Sequence, residues 1–111
     1  LNGVRIISDE SAITMQTPVW IKQTDDYYED QYGLCLMEFV DFLDDPRYNT
    51  PGKYPVGHTG DAYGLRSIMI WSPADAWGIV AMTNGYTHKE GQEFIQVLAN
   101  AIYNAAIREE K

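Results

Sequence analysis

Cysteine occurs once in this chain, at position 35, which excludes an intrachain disulfide and leaves the redox compartment open. Histidine occurs twice, as His58 and His88, too few and too far apart to begin a zinc site. Positive charge is scarce: eight Lys and Arg stand against sixteen Asp and Glu, a formal net charge of −8. A surface of that sign repels phosphate backbones, so nucleic-acid binding is not expected. No apolar run approaches the ~20 residues that a membrane-spanning helix needs. The first residues, LNGVRIISDES, lack the basic start, apolar core and small-residue cleavage site of a signal peptide. There is no internal repeat and no low-complexity tract. An initiator methionine is also missing, and Leu1 reads as a processing or cloning boundary.

What is present fits one compact domain. The chain has 111 residues, of which 45% are hydrophobic and 22% charged. Eight of the sixteen acids fall between Asp25 and Asp45. No Asp-x-Asp-x-Asp-Gly spacing occurs there, so that segment reads as a solvated acidic loop rather than a calcium site. Neither a metal nor a cofactor is called for.

Local signals predict an α+β order. Ser8 can cap a short helix whose first residues, Asp9 and Glu10, suit the positive end of the dipole, and Pro18 stops it. Residues 22–31 are polar and read as a connector. The run from Tyr32 to Phe39 reads as a strand, and residues 43–55, with three prolines and a Pro-Gly pair, as a loop. Three more strands are expected at Val56–Gly60, Gly64–Ser72 and Trp77–Asn84, joined closely enough to require an antiparallel meander of about four strands in all. Thr87 to Glu90 has the pattern of a capping box. A long amphipathic helix then runs to about Arg108, with Phe94, Val97, Leu98, Ala101, Ile102 and Ala105 as its apolar stripe. Gln96, Asn100 and Asn104 stand opposite.

The two long strands are apolar on both alternations. Leu65, Met69 and Trp71 alternate with Ile68 and Ile70, and Trp77, Ile79 and Ala81 alternate with Val80 and Met82. Such a sheet needs cover on both faces, and one good helix covers one. The other face is expected to meet further polypeptide or a partner chain; the plainer alternative is that the N-terminal helix and the loops cover it.

Between the loop and the long strands lies Gly57-His58-Thr59-Gly60, followed by Asp61. Alone it is a weak motif, since glycines in a strand also mark bulges or close backbone approach. In its setting it is more. YGLCLMEF, GHTGDAYGLRSIMIWSP and GIVAMTNG, preceded by LNGVRIISDESAITMQTP, resemble in order the C-terminal part of the serine β-lactamase-like family. That family includes penicillin-binding proteins, class C β-lactamases, esterases and D-peptidases. The resemblance spans nearly the whole chain, as a single partial domain over residues 1–111.

The resemblance implies a partial β-lactamase/transpeptidase-like fold and places the family's third motif, Lys-Thr-Gly or His-x-Gly, on His58, Thr59 and Gly60. His58 would line the site and serve its proton-transfer network. Thr59 would offer its hydroxyl to a substrate carboxylate, and Gly60 would keep the strand surface open. The backbone N–H of Asp61 would supply half of an oxyanion hole. Aspartate stands there where the family often has glycine, which raises the question of a positive φ and of a carboxylate beside developing negative charge. Cys35 also stands where glycine is usual, and reads as a small buried apolar residue.

No serine here has a lysine three residues on, and no Tyr-x-Asn or Ser-x-Asn occurs. The resemblance puts those motifs upstream of Leu1, in a missing N-terminal part. It implies an exported enzyme acting on a small-molecule or peptide substrate. The expectation is a C-terminal portion of an acyl-serine hydrolase that is inactive alone. The alternative is a non-catalytic α+β module that binds a partner or dimerises through an open sheet face rich in Trp71, Trp77 and Tyr residues.

Overall fold

The structure, a computed structural model, describes residues 3–22, 30–84 and 91–108. The elements are α1 (Asp9–Gln16), β1 (Trp20–Lys22), β2 (Asp30–Tyr32), β3 (Met37–Glu38), β4 (Val56–Ala62), β5 (Leu65–Trp71), β6 (Gly78–Asn84) and α2 (Gly91–Ala106). The strands form one antiparallel sheet in sequence order, β1 to β6. The α+β class and the C-terminal meander are as expected. Among the described residues no helix is long and apolar enough to cross a membrane. The Thr87–Glu90 capping box lies outside the described residues.

α1 begins as its sequence requires: the Ser8 side chain accepts from the Ser11 N–H at 3.0 Å. Its last turn fixes the path of the chain after β2. The Leu34 N–H donates to the Met15 carbonyl at 3.1 Å, and a side chain at Gly33 would run into that same carbonyl. The expected strand from Tyr32 to Phe39 is therefore two strands. The chain turns at Gly33–Leu36 beneath the end of α1, and the alternating apolar residues hid the turn. The expected connector at 22–31 ends in β2, and the strands number six rather than about four.

α2 packs on β5 and β6. Ile68, Ile70, Ile79 and Ala81 meet Ile95, Ala99 and Tyr103 in a core completed by Phe39, Leu43 and Tyr48. The helix is rotated from the stripe read in the sequence. Phe94, Val97, Ala101 and Ala105 are exposed, whereas Asn100, expected to face solvent, is buried. The cause is the loop at 42–48. Asn100 donates to the Phe42 carbonyl at 3.0 Å and accepts from the Asp44 N–H at 2.7 Å, and Gln96 donates to the same Phe42 carbonyl. One amide thereby satisfies a donor and an acceptor that no regular element provides for.

The loop is held further by a polar and aromatic cluster. The Arg47 guanidinium grips Asp45 through Nε and Nη2, and the Tyr103 hydroxyl donates to Asp45 at 2.7 Å. Arg47 holds the buried Asp45 carboxyl well below the usual carboxylate range. Burial, and then Asp45, push the Tyr103 phenol above its ordinary value. Trp77 donates to the Tyr48 hydroxyl, which donates to Asp75. Trp77 thus belongs to this covered cluster and does not contribute to an open sheet face.

Candidate functional site

The hairpin of β4 and β5 is closed by Tyr63 and Gly64, with φ values of +54° and +79°. Two central residues of positive φ between paired Ala62 and Leu65 make the tight turn that matches strand twist. The turn fixes the register His58 to Met69 and Gly60 to Ser67. A side chain at Gly57 would overlap the Met69 carbonyl, so the glycine there is needed for close backbone approach.

The phase of the hydrogen-bond ladder is set at its ends. The Ser72 N–H donates to the Trp77 carbonyl, and the Phe39 N–H to the Pro55 carbonyl. Antiparallel bonding alternates along a strand, so even-numbered residues of β5 face β6 and odd-numbered ones face β4. In β4, His58 and Gly60 then bond toward β5, and Thr59 and Asp61 turn their N–H and C=O groups the other way. β3 pairs with β4 only at Val56 and Gly57. Among the described residues no strand pairs with the outer edge from His58 onward, so the Thr59 and Asp61 backbone groups point to that edge.

Of the four motif residues, His58 is exposed, and its Nδ1–H donates to the Thr59 carbonyl, which leaves Nε2 as the ring's acceptor. Thr59, the next residue of an extended strand, points to the opposite face with Ile68 and Ala81. The two side chains therefore do not share a face. A side chain at Gly60 would meet the Ser67 Oγ on the His58 face, 2.5 Å from a Cβ there, so Ser67 would have to turn aside.

Asp61 is extended, with no positive φ, so the departure from glycine costs the backbone nothing. Its carboxylate lies 3.4 Å from the buried Arg66 guanidinium across the hairpin, on the face opposite His58. That pairing sets the negative charge against a fixed positive one. Cys35 corrects the expectation made for it. It is exposed, in the turn after β2, at φ +62°. The left-handed conformation is one that glycine adopts freely and other residues seldom do.

The face that carries His58 is the one α2 leaves open. His58, Met69 and Val80 form one cross-strand row, and Gly60, Ser67 and Met82 the next. Met69 is 47% exposed, and Val80 and Met82 are each 66% exposed. α1 does not cover this row, since none of its residues is buried. Two residues of the face, Ser67 and Glu38, were not singled out by motif. The signal was their parity with His58 in the paired strands, which needs the register and not the sequence alone.

No protein-family model, curated protein or solved structure matches this chain.

Proposed function

We propose that this chain is the sheet-and-helix portion of a serine β-lactamase-like hydrolase and forms one wall of its active site. The observation that carries the reading is the phase of β4. It aims the Asp61 N–H at a strand edge where the His58 ring is tied by its Nδ1–H to the Thr59 carbonyl. A preorganised backbone donor at the place where an oxyanion develops is worth ~10²–10³ in rate. With Nδ1–H engaged, Nε2 is the ring atom left to exchange a proton with a substrate. The attacking serine and its lysine come from polypeptide outside these 111 residues. Substrates are amides or esters that form an acyl-serine: a β-lactam, a D-amino-acid peptide or a small ester. The test is His58→Ala in the catalytically complete protein, which lowers turnover by about 10² or more with folding unchanged. Unchanged turnover removes His58 from the mechanism.

A second reading is favoured by the exposed Leu65, Met69, Val80 and Met82. Contiguous apolar surface of this kind marks an interface, and the chain would then be a non-catalytic module that binds a partner or dimerises. Sedimentation equilibrium separates the two. A stable homodimer burying this face favours the module. A monomer that binds hydrophobic dye, and that gains activity only with a serine-bearing portion, favours the hydrolase.

A further inference from the structure

Glu38 pairs with Val56 across β3 and β4, and Val56 precedes His58 by two positions on the same alternation. Glu38 and His58 therefore share a face, one diagonal step apart, on the order of 7–8 Å between Cα atoms. Beside them lies a cleft of about 200 Å³, walled by Ile13 and Pro18 at the end of α1 and by Val56 and Pro73, with Glu38 in its lining.

Three features give this cleft a chemical preference. Among the described residues no Lys, Arg or His lines it, and the last turn of α1 carries no basic residue to offset the negative end of the helix dipole. Among the described residues no group gives the half-buried Glu38 carboxylate a hydrogen bond or an ion pair, and burial raises that carboxyl above its ordinary value. A carboxylate can only accept, so a donor that also carries positive charge satisfies both its lone pairs and its charge. Ile13, Pro18, Val56 and Pro73 give the lining an apolar side that suits a short hydrocarbon stem, and Gln16, Thr17 and Tyr54 complete it with uncharged polar groups. The volume falls below the roughly 300–1,000 Å³ of sites for drug-sized ligands, so the cleft holds a side group rather than a whole substrate.

We propose that the cleft between α1 and the β3–β4 pair binds a primary ammonium group on a short apolar stem, with Glu38 as its counter-charge. Its position beside His58 makes it the subsite for an amine-bearing side group of the substrate. That assignment rests on the hydrolase reading, whereas the ammonium binding does not.

The experiment is a ¹H–¹⁵N titration of the 111-residue chain with n-butylammonium chloride, and with 1-butanol as the neutral control. Shift changes are expected at Thr17, Glu38 and Val56, with 1-butanol binding at least tenfold more weakly. Glu38→Gln is expected to weaken butylammonium binding at least tenfold while leaving distant resonances in place. Ile13→Trp, at an exposed position on the cleft wall, should block binding and serves if the first variant misfolds. Equal binding of the two probes, binding that neither variant alters, or shift changes confined to other surfaces would overturn the proposal. Binding as expected in a protein whose complete form never labels with a fluorophosphonate would remove the hydrolase reading alone.

Discussion

The His58 imidazole is tied through Nδ1–H to the carbonyl of Thr59, the residue after it, while the Thr59 side chain lies on the other face of the sheet. An extended strand cannot put neighbouring side chains on one side. What the two residues share is the outer edge of β4, and the hydrogen bond holds the ring there. In solution, ¹⁵N shifts should report His58 protonated at Nδ1 when neutral. The opposite tautomer would mean that the ring is not tied to the edge.

His58→Ala should leave the stability of the chain within about 0.5 kcal/mol, because the side chain is exposed and outside the core. Thermal melts of the two proteins measure this. A larger loss would give His58 a structural role and weaken any reading of its catalytic effect.

The two strand glycines of the motif should respond differently to alanine. At Gly57 the new methyl meets backbone, the Met69 carbonyl and the Ile70 Cα, which cannot rotate away. A cost of about 3 kcal/mol, or failure to fold, is expected. At Gly60 the obstacle is the Ser67 hydroxyl, a side chain with other rotamers, and about 1 kcal/mol is expected. Gly60→Ala combined with Ser67→Gly should recover most of that loss in urea titrations. No recovery would mean that the Ser67 contact is not the source.

Asp45 should make the fold acid-sensitive. Its folded-state carboxyl lies below the unfolded value of about 3.9, so its contribution is present above that pH and is lost as pH falls through the folded value. Asp45→Asn is expected to cost about 2 kcal/mol at pH 7, with the gap from the native protein narrowing below pH 4. Tyr103 acts on the alkaline side. Its raised phenol adds stability below an unfolded value of about 10, lost as pH rises through the folded value. Tyr103→Phe should remove that dependence. Parallel pH–stability curves for the native protein and Asp45→Asn would contradict the account.

Val80→Lys with Met82→Lys tests the open face. Both side chains are largely exposed, so stability should change by less than about 0.5 kcal/mol each. Hydrophobic-dye binding should fall and any self-association weaken. A large destabilisation would show that this face is covered within the chain.

Much of this architecture was legible in the sequence because it rests on local chemistry. Ser8 announces α1, the Pro-Gly loop precedes β4, and the alternation of Ile68 and Ile70 against Met69 marks a sheet with two apolar faces. What was hidden depends on long-range satisfaction of polar groups. Asn100 reads as surface until the Phe42 and Asp44 backbone groups that it serves are in place. The Gly33 turn reads as strand until the end of α1 sits against it. Of the motif, His58 was legible from its glycine neighbours. The edge-facing phase of Thr59 and Asp61 needed the bonds at Ser72 and Phe39, far outside the motif. Glu38 carried no motif at all, and only its pairing with Val56 brings it beside His58.

The most direct test of the central claim is the site of fluorophosphonate labelling, read by peptide mass spectrometry on the product of the entire natural reading frame. The label is expected on a serine of a Ser-x-x-Lys motif outside these 111 residues, with labelling slowed about 10² by His58→Ala. A label on Ser8, Ser11, Ser67 or Ser72, or no labelling under native conditions, would contradict it.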